Sequence, residues 1–174
     1  MSETVAEYVQ RLHGYLGGKD PVQSLRETPG KLTDLVRDVP EATLRRPPAP
    51  GKWSVAEIMA HLVDSELVAA YRIRAILGAE DGAPIAAYDQ DRWAAAGNYG
   101  AVPAGASLAS FSALRAMNLR LLESLSASAW NKYGMHAERG RESIRDLVQL
   151  LAGHDLNHLS QIGKILADRQ AARA

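Results

Sequence analysis

The stretch that most constrains this chain is "SIRDLVQLLAGHDLNHLSQIGKIL", residues 143–166. Ile144, Leu147, Leu151, His154, His158, Ile162 and Ile165 recur at steps of three and four residues. Those steps follow the turn of an α-helix, so they predict a helix from Ser143 to Arg169 with these side chains along one inward seam. A seam of this length has to be covered by other helices, and it carries two imidazoles to where water is scarce.

The rest of the chain supplies the covering helices. Ser54 with Glu57 three residues on is a capping box, and the helix it opens runs to Leu77 before Gly78. At about 1.5 Å per residue, some 24 residues make a rod of roughly 36 Å. Ser107–Ser126 reads as another long helix, with Phe111, Leu114, Met117, Leu121 and Leu125 inward. Asp20–Pro21 is an N-cap and first-turn signal for an arm over 20–39, bent or briefly interrupted at Pro29. Val5, Tyr8, Val9 and Leu12 mark a first helix that stops at the glycine pair 17–18. Consecutive prolines in "RRPPAPGKW", 45–53, exclude helix and give a stiff linker. Two long connections remain, 79–106 with a short helix around "YDQDRWAAAG", and 127–142. No alternating β-branched run bounded by turns occurs, so no strand is predicted. The expected fold is all-α, a single four-helix-bundle domain over 1–174 with long connecting loops.

Composition narrows the function classes. Twenty basic residues balance twenty acidic ones, so no net field draws nucleic acid or an anionic membrane. The chain has no cysteine, which excludes disulfides, thiolate metal sites and a cysteine nucleophile, and suits a reducing compartment. No secretion-signal pattern opens the chain and no apolar run approaches the roughly 20 residues of a membrane span. A cytoplasmic protein without nucleic-acid or membrane partners is expected.

Two imidazoles four residues apart lie one turn apart and can converge on one ion at about 2.1 Å. The spacing alone leaves two readings, metal ligands or hydrogen-bonded core histidines, and the seam positions favour the first, because a buried polar group needs a partner. A third ligand has to come from another helix, and His61 is the other histidine inside a strong helical pattern. His13, near a helix end, and His136, in the second long connection, are expected at the surface, with His136 the better placed of the two to join the site because a loop can reach the bundle mouth. "HDLNH" has Asp155 where the zincin motif has glutamate, in a chain with no predicted strands. A di-iron carboxylate bundle needs two Glu-x-x-His elements, and none is present. Asp64, one turn beyond His61, and Gln161, one turn beyond His158, are candidates to orient an imidazole. Asp155 and Glu66 point away from the triad on helical spacing, in capping or salt-bridge roles. Tyr88, Asp89, Asp91 and Trp93 belong to the loop that could line the mouth of the site, though loop aromatics most often simply pack.

"PGKWSVAEIMAHLVDSE" (50–66) joined to "GHDLNHLSQIGKIL" (153–166) resembles the DinB-like superfamily, in its branch of bacillithiol transferases and metal-dependent hydrolases. The resemblance runs nearly the full length. It implies a four-helix bundle that holds a divalent ion through three histidines, which correspond to His61, His154 and His158 here, and commonly a homodimer. Three imidazoles leave room for water or substrate and suit Zn²⁺, Ni²⁺ or Fe²⁺ alike. The implied activity is transfer of a small-molecule thiol to an electrophile. The alternatives are a hydrolase using activated water and a non-enzymatic stress-response protein with a structural ion.

Overall fold

Residues 3–171 are described by the computed structural model. The first two and last three positions of the domain expected over 1–174 lie outside the described residues. Helix α1, Val5–Leu16, starts at a reciprocal Thr4–Glu7 capping box and stops at Gly17, whose φ of 56° suits glycine. Helix α2 is Pro21–Val36, capped by the Asp20 carboxylate on the Gln23 amide. After the single turn α3, Glu41–Leu44, comes α4, Val55–Gly78, with both halves of the expected Ser54–Glu57 box in place. Then follow α5, Gln90–Ala96, capped by Asp89, and α6, Ala104–Glu123. The last helix, α7, is Ile144–Ala171, and Ser143 and Asp146 cap it reciprocally.

Helices α2, α4, α6 and α7 form the four-helix bundle, with α4 and α2 each packed against both α6 and α7, and α1 lying along α7. The expected helical bundle is therefore what the chain builds. It also builds a small sheet that was not expected. Strands β1, Ala83–Ile85, β2, Tyr133–His136, and β3, Gly140–Ser143, pair in the order β1-β2-β3, parallel and then antiparallel. Strands of three or four residues, with Gly134 and Pro84 among them, are too short and too poor in β-branched residues to show a period of two. Gly134 is required there, since a Cβ would come 2.4 Å from the Ile85 side chain.

Pro29 does not interrupt α2, which runs through it, and its consequence is chemical. Proline has no N–H for the carbonyl four residues back, so the Leu25 carbonyl is left free. Arg115 Nη1 of α6 donates to it at 2.7 Å. The same guanidinium pairs with Glu66 of α4 and Asp155 of α7, each at 2.7 Å, and Asn118 Nδ2 donates to Glu66 Oε1 at 2.8 Å. One arginine, 1% exposed, thus bonds all three other helices of the bundle. Burial works to lower its pKa, but Asp155 and Glu66 more than offset that and hold it charged.

This hub corrects the expected face of α6. Its buried side is Ser107, Phe111, Arg115, Asn118, Leu119 and Leu122, whereas Leu114, Met117, Leu121 and Leu125 are half-buried. Counting only apolar residues rotates the helix, because the cation that α4 and α7 require looks like a surface residue. Asp155 and Glu66 do serve in salt bridges, inside the bundle. The polar layer divides the apolar core in two. One part gathers Ile58, Met59, Leu62, Phe111 and Ile162, the other Ile73, Ile76, Leu119, Leu122 and Val148.

Candidate metal centre

The three histidines of the two long helices meet at the level of that polar layer. His61 comes from the second turn of α4, and His154 and His158 from successive turns of α7. His61 is 1% exposed and the other two 9%. His154 Nε2 lies 3.0 Å from His61 Nε2 and 3.1 Å from His158 Nε2, with ring centroids 4.4–5.1 Å apart. Gly153 lets α7 carry His154 this deep against α1, since a Cβ there would lie 2.2 Å from the Leu12 carbonyl oxygen.

Hydrogen bonding among the rings does not account for this arrangement. A neutral ring nitrogen offers one proton or one lone pair, so His154 Nε2 cannot serve two neighbours. The Nδ1 atoms of His61 and His154 are also buried without a partner. Burial, with the neighbouring imidazole as a second cause, pushes His61 to a pKa of about 3. Burial likewise takes His158 down to about 4, and His154 falls well below the ordinary histidine range. All three rings are neutral at pH 7. Gln161 Oε1 accepts from His158 Nδ1 at 2.9 Å, which leaves His158 Nε2 with its lone pair facing the other two. Ligand atoms sharing one ion at about 2.1 Å are separated by roughly 3.0 Å at a right angle and 3.4 Å in a tetrahedron. The spacing observed suits one divalent ion, and all three residues form a single cluster within 4.8 Å that includes no carboxylate.

The other candidates divide. Asp64 does not orient an imidazole; its Oδ2 accepts a short hydrogen bond from the Tyr99 hydroxyl, whose pKa rises through burial and that bond. Tyr99 and Trp53, both unforeseen, back the site, with the Trp53 ring 5.1 Å from His61. Ser65 Oγ lies 3.3 Å from His61 Nε2 and 3.2 Å from the Tyr88 hydroxyl. Tyr88 therefore reaches the edge of the cluster and packs on Trp93 at 4.9 Å, whereas Asp89 and Asp91 belong to the start of α5. His13 is exposed as expected. His136 is not at the surface. It is 3% exposed in β2, and its Nε2 faces Arg72 at 3.2 Å. The unpredicted sheet buries it. Ser65 and Arg72 could have been found, since both fall on the His61 side of α4 at helical spacing.

His154, Ser65 and Tyr88 line one side of a cavity of about 340 Å³, which Tyr8, Leu151 and Arg72 continue. No helix among the described residues is long and apolar enough to cross a membrane.

Comparison with known proteins places this geometry. A Bacillus cereus (strain 03BB102) protein named "Putative metal-dependent hydrolase" is 27% identical over 141 residues, which are 81% of this chain and 80% of the relative. A Bacillus anthracis (strain CDC 684 / NRRL 3495) protein of the same name is 26% identical over the same lengths. The structure of YfiT from Bacillus subtilis, described as "a probable metal-dependent hydrolase with an unusual four-helix bundle topology", superposes with a TM-score of 0.79 at 24% identity and covers 86% of each chain. A sequence model of the DinB superfamily matches residues 24–162, a span that holds α4, α6, most of α2 and α7, and all three clustered histidines. The chain belongs to the DinB superfamily.

Proposed function

We propose that this protein is a metal-dependent enzyme that holds a divalent ion through His61, His154 and His158 and transfers a low-molecular-weight thiol to an electrophile. The observation that carries the reading is the convergence of three neutral Nε2 atoms, with His154 among them lining a cavity. Bound there, an ion supplies Lewis acidity that lowers the pKa of a coordinated thiol or water. The chain supplies the rest. Burial keeps the imidazoles unprotonated, and Gln161 fixes the tautomer of His158. Ser65 and Tyr88 place two neutral hydroxyls at the open edge, while Leu151 and Val68 give an apolar wall that limits water.

The lack of a carboxylate in the cluster supports a thiol over water as the nucleophile. Water is a weak acid and its activation is commonly assisted by a nearby base, whereas a thiol with a pKa of about 8.5 ionises with little help. In the reaction the sulfur lone pair forms the new bond, the leaving group departs with its electron pair, and the thiol proton passes to solvent. The hydrolase names of the relatives favour a second reading, in which water takes the place of the thiol.

The test is turnover of a thiol panel with 1-chloro-2,4-dinitrobenzene and with monobromobimane by protein loaded with Zn²⁺, Ni²⁺ or Fe²⁺. Thiol-dependent turnover that is lost with chelator and in His154→Ala is expected. Ester or amide cleavage without thiol would replace the first reading by the second. Stoichiometric metal with neither activity would overturn both.

A further inference from the structure

Arg72 is 8% exposed, and no ion pair involves it among the described residues. Buried guanidinium groups are ordinarily matched by a carboxylate. Here Nε and Nη2 donate to the Ala86 carbonyl, at 3.1 and 2.6 Å, and Nη2 also faces His136 Nε2 at 3.2 Å. Among the described residues Nη1, with two N–H groups, makes no hydrogen bond. The neighbouring groups deepen the shortage of acceptors. His136 Nδ1 faces the amides of Glu138 and Arg139 at 3.2 and 3.4 Å, so N–H groups approach both ring nitrogens. A neutral imidazole can accept at one of them only. Arg139 lines the cavity and is turned to Glu142 in a two-pronged pair at 2.7 and 2.9 Å, which engages that carboxylate. Glu3 is committed to Arg11, and Glu138 is exposed at the rim and beyond ion-pair distance of Arg72.

The place of Arg72 matters as much as its charge. Arg72 and His154 line the same cavity, and Arg72 follows His61 on α4 by eleven residues, about 16 Å of helix. Helical side chains lean toward the N-terminus, and the longer arginine side chain reaches further in that direction, toward the triad, than the imidazole of His61. Tyr88 spans the interval, with Arg72 Cζ 5.9 Å from its ring and its hydroxyl on Ser65.

We propose that Arg72 is the anion-binding end of the substrate cavity and receives a carboxylate of the same small molecule whose reacting atom lies at the histidines. The two N–H groups of Nη1 would take the carboxylate oxygens. The inference rests on the proposed reading for what happens at the other end of the cavity, and its own end can be tested separately.

Calorimetry of the zinc-loaded protein with mercaptosuccinate and with 2-mercaptoethanol compares one thiol with and without carboxylates. Mercaptosuccinate is expected to bind at least about tenfold tighter, and Arg72→Gln to erase that margin while leaving 2-mercaptoethanol binding unchanged. Arg72→Lys, which keeps the cation without the fork, should retain part of it. A margin unchanged in Arg72→Gln would overturn the proposal. Succinate titrated into metal-free wild-type protein, followed by the side-chain NMR signals of ¹⁵N-labelled arginine, tests this end with no thiol, metal or variant. A shift of the Arg72 Nε signal at millimolar succinate supports the proposal even if no thiol reacts. No shift overturns it, and a response to inorganic phosphate alone would overturn the carboxylate assignment.

Discussion

Gly153→Ala adds one methyl group beside a proposed ligand, and the structure sets its cost. The new Cβ would lie 2.2 Å from the Leu12 carbonyl oxygen and 2.7 Å from its carbon. Ordinary contact begins near 3.4 Å, so α1 has to withdraw from α7 by about 1.2 Å, and the obstacle is backbone that cannot rotate aside. Helix propensity acts the other way, since alanine is better than glycine inside a helix by about 1 kcal/mol. Overpacking a close contact costs about 1–3 kcal/mol, and a rigid obstacle argues for the upper end. The net expectation is a loss of about 1–2 kcal/mol. Gly163→Ala on the same helix is the control. Its nearest new neighbour is Leu35 Cδ2 at 3.9 Å, an ordinary contact, so the propensity gain of up to about 1 kcal/mol should appear unopposed. Urea unfolding followed by circular dichroism should show the midpoint falling for the first variant and rising for the second, with similar slopes. In melting temperature each kcal/mol amounts to about 2–4 °C for a chain of this size. If Gly153→Ala matches or exceeds the wild type, α1 yields freely and the close approach does not constrain the fold.

Three further outcomes follow from the same geometry. Arg115→Met leaves Glu66 and Asp155 buried without their cation and should cost about 3–5 kcal/mol in chemical unfolding, with most recovered when both acids are also replaced by leucine; a loss under about 1 kcal/mol would contradict the hub. The metal-free protein should lose stability as pH falls from about 6.5 toward 4, because the unfolded chain takes up protons that His61, with its pKa of about 3, and His158, at about 4, refuse when folded. The slope should approach about 1.4 kcal/mol per pH unit for each histidine and flatten in His158→Gln, and a flat wild-type profile would mean that the triad is hydrated. Ser54→Ala removes the side-chain oxygen that receives the Glu57 amide and should cost about 1 kcal/mol, read as a lower urea midpoint.

The long helices were legible because capping residues and three-to-four spacing are local signals. Ser54–Glu57, Asp20–Pro21 and the Ile144–Ile165 seam each state their own element. The three clustered histidines were legible for a related reason, since an imidazole on a buried seam is an exception to the apolar pattern. What failed depended on partners remote in sequence. Arg115 belongs to the core because Glu66, Asp155 and the carbonyl freed by Pro29 converge on it from three helices, and no spacing within α6 announces that. His136 is buried by strands of three and four residues whose pairing joins segments some fifty residues apart. Asp64 has the right distance from His61 along the helix, yet Tyr99 from a distant loop claims it.

The division of the apolar core by a polar layer has a consequence for how the molecule comes apart. Each half is sealed by its own aliphatic contacts, and the halves are joined across a level held by ion pairs and imidazoles. Opening free energies need not be uniform along such a bundle. Amide exchange along α7 should then divide near Gly153–His158, with protection on either side decaying at its own rate. A ligand that ties His61 to His154 and His158 would bring the two rates together, so the strength of the bridge between the halves can be read from motion rather than from melting.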